Sequence, residues 1–226
     1  MCSDRSNLGQ VQRQVQCYVD PVSPYVWLAT HDFARLQAAG AELTLVPVLF
    51  AGLLNAHGNI GPAELPAKRR YLFRDVMREA ARRGMRFAGP PGHPYNPLLA
   101  LRVCTAALDA GARRRLFVML ARACWEDGAD ISDAATLRRL ADGAGFDGQA
   151  LLDAAVTPAV KGRLAEATAR AVADGIFGVP TYRLGDELFW GADRVDALLW
   201  RLDGGAIDED ALAAFLARAP LATRAR

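Results

Sequence analysis

The sequence lacks the sulfur and histidine patterns from which redox and metal sites are built. Its four cysteines, Cys2, Cys17, Cys104 and Cys124, contain no C-x-x-C pair, and the three histidines form no cluster with them. No zinc-type ligand spacing is present either. We therefore expect neither dithiol chemistry nor a bound metal. Cys104 and Cys124 lie in apolar helical stretches, where we expect buried small hydrophobic residues.

Long apolar runs and a strong net charge are missing as well. No run reaches the roughly 20 residues of a membrane span, and residues 1–16 lack the apolar segment of a secretory signal. Lysine and arginine number 27 against 25 acidic residues, and the arginine pairs and triples are interleaved with acids or alanines. We therefore expect a cytoplasmic protein with no nucleic-acid or membrane partner.

What is present begins with a strand that turns directly into a helix. The chain is apolar from about Val15, breaks at Asp20-Pro21, and places Ser23 and Pro24 where a helix N-cap and first helical residue belong. Apolar residues then recur at helical spacing, at Val26, Ala29, Phe33 and Leu36. This spacing predicts one helix, whose N-terminus can hold an anion. The alternative is that Ser23 is only a cap.

A second strand and a long helical region follow. Residues 42–49 predict the strand, and Pro47 indicates that it lies at a sheet edge or has an irregular end. With the first strand and helix it completes a parallel βαβ unit. Residues 53–62 are polar and glycine-rich, as in a loop. Residues 63–174 contain no convincing strand and repeat the helical period.

Strands return near the end of the chain. Residues 177–184 and 187–190 predict a β-hairpin around Gly185-Asp186. A helix is predicted from there to Leu202, and a further amphipathic helix over residues 207–219.

The order βαβ, helices, ββα is that of an α/β protein with a thioredoxin fold and a large all-helical insertion between its two halves. The sequence Gly178-Val179-Pro180-Thr181 supports this fold, which carries a cis-proline beside its first helix. We predict a thioredoxin-like domain over residues 14–62 and 175–204. An inserted helical domain occupies 63–174, and a C-terminal helix and tail occupy 205–226.

Together these stretches resemble the 2-hydroxychromene-2-carboxylate isomerases and kappa-class glutathione transferases, within the wider DsbA-like group. The resemblance runs from about Gln16 to Leu202. Its motifs are Asp20-Pro21-Val22-Ser23-Pro24-Tyr25 with Trp27-Leu28, Gly58-Asn59 with Pro66-Ala67-Lys68, Phe177-Gly178-Val179-Pro180, and Gly191-Ala192-Asp193-Arg194. His93-Pro94-Tyr95-Asn96-Pro97-Leu98 favours the isomerase branch. Where the group's disulfide oxidoreductases carry C-x-x-C, this chain has Ser23-Pro24-Tyr25-Val26.

The resemblance implies glutathione as the cofactor and assigns its sulfur and cysteinyl contacts. Ser23 is the catalytic residue and donates a hydrogen bond to the sulfur, which favours the thiolate. The backbone of Val179, before Pro180, pairs with the cysteinyl unit. The alternative is that Val179 is core and Pro180 only shapes a turn.

The resemblance also assigns the two ends of glutathione. The Ala192 N–H and the Asp193 carboxylate take the γ-glutamyl carboxylate and ammonium. Asn59 and Lys68 match positions near the glycine end. Asp193 could instead be an ordinary acid at a helix start, and Lys68 could belong to a solvated helix face.

The implied activity is glutathione-dependent cis–trans isomerisation of an aromatic keto acid by reversible thiolate addition, as in bacterial breakdown of naphthalene-like compounds. The resemblance also implies a homodimer. Two alternatives stay open: a kappa-type transferase that consumes glutathione, and a non-catalytic binding module. Four aromatic side chains could line the acceptor pocket or belong to the core: Tyr25, His93, Tyr95 and Trp190.

Overall fold

A four-stranded mixed sheet lies at the centre of the protein in a computed structural model, which describes residues 13–107 and 109–222. The strands are β1 (Gln14–Val19), β2 (Glu42–Pro47), β3 (Thr181–Leu184) and β4 (Glu187–Trp190). Their order is β2-β1-β3-β4, with β1 parallel to β2 and β3 antiparallel to both of its neighbours. The predicted parallel βαβ unit and β-hairpin are therefore confirmed. Cys2 lies outside the described residues.

Strand β2 lies at the sheet edge, as its proline predicts. Pro47 closes the strand opposite Val19, where a missing N–H costs no inner ladder bond. Along β2, Leu43 and Leu45 are buried while Glu42 is exposed, and this alternation places one face of the edge strand on the core.

Two short helices, α1 (Pro24–Thr30) and α2 (Phe33–Ala38), connect β1 to β2. The prediction of one continuous helix is therefore wrong. The last turn of α1 tightens, because the amides of His31 and Asp32 donate to the carbonyls three residues earlier. The Asp32 carboxylate then turns outward to meet Arg83 at 2.8 Å.

Helices fill the chain between β2 and β3. They are α3 (Phe50–Ala56), α4 (Pro66–Arg82), α5 (Leu98–Ala106), α6 (Ala110–Trp125), α7 (Ala134–Gly143), α8 (Gly148–Ala155) and α9 (Pro158–Ala173), with a 3-10 turn at Pro62–Glu64. The predicted loop over residues 53–62 is wrong in its first half, which belongs to α3. Leu53 is fully buried, and this burial keeps the segment helical despite its polar neighbours.

After the hairpin, the described part of the chain contains a 3-10 turn at Ala192–Arg194 and helices α10 (Val195–Leu202) and α11 (Glu209–Leu216). Strand β3 starts four residues later than the sequence predicts, since the chain over residues 177–180 bends through a cis peptide bond at Val179-Pro180. The hairpin turn is the predicted pair, with Gly185 at φ +60°. Every residue of α11 is exposed.

Three cysteines pack in the interior as hydrophobic residues. Cys17, Cys104 and Cys124 are each fully buried. Burial raises the pKa of the Cys104 and Cys124 thiols to about 12, so these thiols stay protonated at neutral pH. Within the described ranges no helix is long and apolar enough to cross a membrane. The domain boundaries at 62, 174 and 204 stay predictions.

Candidate active site

One large open cleft collects the residues that the sequence points to. Its volume is about 1660 Å³, which exceeds the roughly 300–1,000 Å³ of a typical small-molecule pocket. All seven predicted site residues line it: Ser23, Asn59, Lys68, Val179, Pro180, Ala192 and Asp193. They come from the start of α1, the segment between α3 and α4, the first turn of α4, the cis-proline bend and the turn before α10.

The Ser23 hydroxyl does not cap the helix that it precedes. Ser23 has the extended backbone of an N-cap residue, yet no N–H of α1 donates to its side chain. Its Oγ instead lies 3.4 Å from the carbonyl oxygen of Val179, a distance at the long end of hydrogen bonding. Elsewhere Asp133 and Thr157 do accept such bonds from their helices. The cap interpretation is therefore wrong, and this hydroxyl can serve a ligand.

A buried carboxylate shapes the turn that carries Ser23. Asp20 is 0% exposed and accepts hydrogen bonds from the amides of Val22 and Phe50, each at 2.9 Å. Burial raises the pKa of Asp20 to about 7, although the two amide donors oppose the shift. Asp20 thereby ties the turn to the start of α3, the helix that leads to Asn59. In the sequence, Asp20 marks the end of the first strand and begins the first family motif, but no role was predicted for its side chain.

The cis-proline bend leaves an unused backbone amide beside Ser23. Pro180 accepts a hydrogen bond from the Gly191 amide at 2.9 Å, which links the bend to the turn before α10. Within the described part of the chain, the Val179 amide donates to no acceptor. An extended peptide could therefore pair with Val179 through this amide and its carbonyl oxygen.

Lys68 differs from the other cations along the cleft. Four arginines there form ion pairs with carboxylates, namely Arg35, Arg82, Arg83 and Arg194. Among the described residues, Lys68 pairs with no carboxylate, and it projects from the first turn of α4. An anionic ligand can therefore reach its ammonium group without displacing an internal partner. The Asp193 carboxylate, by contrast, lies 2.5 Å from Arg194.

Apolar side chains stand exposed along the cleft. Five large ones are Ile60, Leu65, Tyr71, Phe177 and Trp190. The Phe177 and Trp190 rings meet edge to face with their centroids 4.9 Å apart. A side chain at Gly178 would collide with the Trp190 indole, because its Cβ would lie 2.6 Å from Nε1. The glycine thus lets Trp190 lie over the cis-proline bend, next to Val179.

The other three aromatic candidates also line the cleft, and each makes a hydrogen bond. The Tyr25 hydroxyl donates to Asp75 on α4 at 2.9 Å. The His93 and Tyr95 side chains contact the backbone of the turn at residues 20–23. No described cysteine lines the cleft.

The fold and this cleft define a thioredoxin-fold protein with a serine, and no cysteine of the described residues, in the cleft at the start of α1. Comparison with known proteins agrees. The family model for a DSBA-like thioredoxin domain matches residues 14–203. The chain belongs to this family, and within it to the group of the 2-hydroxychromene-2-carboxylate isomerases and kappa-class glutathione transferases.

Three similar proteins place the chain in that group. A 2-hydroxychromene-2-carboxylate isomerase of Pseudomonas sp. strain C18 is 32% identical over 200 residues, covering 85% of this chain and 91% of that protein. Human glutathione S-transferase kappa 1 is 29% identical over 213 residues, covering 84% and 91%. A solved 2-hydroxychromene-2-carboxylate isomerase superposes with a TM-score of 0.79 at 25% identity, covering 91% of this chain and 100% of the other.

The raised pKa of Asp20 predicts a pH dependence of stability. An unfolded aspartate has a pKa of ~3.9, and the folded value is about 7. Between these values the folded state binds more protons, so this group lowers the free energy of unfolding as the pH rises. Between about pH 5 and pH 8, we expect the free energy of unfolding of the wild type to fall by roughly 2–3 kcal/mol relative to that of Asp20→Asn.

Denaturant unfolding of both proteins at the two pH values measures this difference. The variant is its own control for every other titrating group, because only residue 20 differs. If the free energies of unfolding of wild type and variant differ by the same amount at both pH values, Asp20 does not titrate in this window.

Proposed function

We propose that the protein is a glutathione-dependent cis–trans isomerase of 2-hydroxychromene-2-carboxylate-like aromatic keto acids. One observation carries the proposal: the Ser23 hydroxyl, released from helix capping, lies against the Val179 carbonyl in a cleft that contains no cysteine of the described residues. A thioredoxin-type site without sulfur needs a ligand that brings one. Glutathione is the thiol that the kappa-class relative names.

Ser23 acts on the glutathione sulfur. A free thiol has a pKa of ~8.5 and is mostly protonated at neutral pH, whereas the thiolate is the strong nucleophile. A hydrogen bond from Ser23 Oγ to the sulfur favours the charged form. The Val179 amide and carbonyl pair with the cysteinyl unit, and this pairing holds the sulfur beside Ser23.

The two charged ends of glutathione bind at opposite sides of the sulfur. At the γ-glutamyl end, the Ala192 N–H takes the carboxylate and Asp193 exchanges Arg194 for the ligand's ammonium. At the glycine end, Lys68 supplies the charge and Asn59 a side-chain amide. Ion pairing already occupies the cleft's four arginines, so Lys68 is the cation best placed for the glycine carboxylate.

The keto acid binds in the remaining part of the cleft, against the exposed apolar side chains. Bound glutathione would supply a thiolate that adds reversibly to the conjugated carbon–carbon double bond of the substrate, so that this bond could rotate and glutathione would be regenerated. We propose that the enzyme acts as a cytoplasmic homodimer in the breakdown of naphthalene-like compounds.

A kappa-type transferase is the second candidate, and the 29% identity to the human enzyme favours it. A transferase uses the same thiolate but ends with a stable conjugate. A non-catalytic binding module would retain the cleft and release no product. The three candidate functions differ in whether glutathione is regenerated, consumed or only bound.

Turnover with less glutathione than substrate tests the proposal. We expect the cis keto acid to be converted completely to the trans product, with many turnovers per glutathione and the free thiol undiminished. A product yield equal to the glutathione supplied, with loss of free thiol, would identify a transferase. No conversion of either kind would leave only the binding module.

The lysine contact has a matched control, because Lys68 and Lys161 are the only lysines in the sequence. Lys161 is exposed on α9 and does not line the cleft. We expect Lys68→Met to weaken glutathione binding by roughly two- to fivefold, as for an exposed ion pair, and Lys161→Met to leave it unchanged. Calorimetric titration measures both. Equal affinities would remove Lys68 from the site.

A further inference from the structure

Three side chains from the helical region between β2 and β3 form hydrogen bonds with the backbone of the turn at residues 20–23. The Tyr95 hydroxyl and the Trp125 indole N–H both donate to the carbonyl oxygen of Pro21, at 2.8 and 2.9 Å. His93 Nε2 lies 2.9 Å from the carbonyl oxygen of Val22, the residue before Ser23. We call these three side chains the turn clamp.

The hydrogen-bond partners and surroundings of His93 and Tyr95 determine which of their side-chain atoms carry hydrogen. A carbonyl oxygen only accepts, so His93 Nε2 carries the hydrogen. Burial lowers the pKa of His93 and the Arg69 charge lowers it further, against the opposing effect of the Val22 bond, so the imidazole is neutral at pH 7. The Tyr95 hydroxyl in turn accepts from the Cys124 thiol at 3.5 Å.

The clamp acts on the same peptide groups that lead into Ser23. Asp20 holds the amide of Val22, and the clamp holds the carbonyls of Pro21 and Val22, so both sides of the turn are bonded. Carbonyl oxygens carry partial negative charge, and hydrogen-bond donors offset that charge. Without the donors, the turn would be looser and its oxygens would repel an anion at the start of α1.

We propose that His93 and Tyr95 are positioning residues that orient Ser23, so that the helical region sets how readily a sulfur at the start of α1 loses its proton. This inference rests on the proposed function for the identity of that sulfur. Neither residue needs to touch the ligand. Their effect on the orientation of Ser23 passes through the backbone of the turn at residues 20–23.

A reporter thiol tests the clamp independently of glutathione. Ser23→Cys places a thiol at the start of α1, and Cys2→Ser in the same protein removes the cysteine outside the described residues. The remaining cysteines are buried. The alkylation rate against pH then gives the pKa of the new thiol in the folded protein, with and without Tyr95→Phe.

The chain supplies a matched control in Tyr182→Phe. Tyr182 is also buried, but its hydroxyl has no hydrogen-bond partner among the residues that the structure describes. We expect Tyr95→Phe to raise the reporter pKa by about half a unit, which is roughly threefold less thiolate below the pKa. Tyr182→Phe should leave it unchanged. An unshifted pKa in Tyr95→Phe, with only a lower melting temperature, would make Tyr95 merely structural and overturn the proposal.

Substitution of His93 checks the second donor. His93→Phe removes the N–H that Val22 accepts, whereas His93→Gln keeps a donor. We expect the reporter pKa to rise in the first and to return towards the parent value in the second. Equal values in both would contradict a donor role. If the wild type fails to bind glutathione, the proposed function fails, yet the reporter still decides whether the clamp acts.

Discussion

The turn at residues 20–23 is the constraint on which the site depends, because two parts of the chain hold it. Asp20 accepts a hydrogen bond from the Val22 amide within the turn and another from the Phe50 amide at the start of α3, the first helix after β2. Tyr95 and Trp125 tie it to the helical region. The turn therefore has little freedom, and the residue that follows it, Ser23, keeps a fixed orientation towards the cis-proline bend. A loosely held serine would lose most of the strength of a single hydrogen bond to entropy.

The second organising feature is the position of the cysteines: those in the described residues are buried in the core, and none of them lines the cleft. Burial keeps the Cys104 and Cys124 thiols protonated at neutral pH. Among the described residues, the cleft offers the Ser23 hydroxyl, a Val179 amide that donates to no acceptor and the Lys68 ammonium, which pairs with no carboxylate. These groups suit a thiol-bearing peptide with a terminal carboxylate. The exposed Phe177 and Trp190 beside them suit an aromatic second substrate.

Local signals predicted the sheet and the family resemblance supplied the candidate site residues, whereas tertiary contacts decided the rest. The edge position of β2 follows from Pro47, and the hairpin turn follows from Gly185. The break between α1 and α2 could not be predicted, since apolar spacing continues across it while Asp32 is drawn away by Arg83. The turn clamp could not be predicted from local sequence patterns either, because Trp125 lies 104 positions from Pro21 and His93 lies 71 positions from Val22.

The pKa of the bound glutathione thiol in Ser23→Ala tests the central claim most directly. We expect the thiol pKa to rise by up to about one unit, or 1.4 kcal/mol, while the melting temperature stays nearly constant. Asp133→Ala, which removes a true helix cap away from the cleft, should lower the melting temperature and leave the thiol pKa unchanged. The ultraviolet absorption of the thiolate against pH gives the pKa. A wild-type value in Ser23→Ala, or a thiol that does not bind, would contradict the role of Ser23.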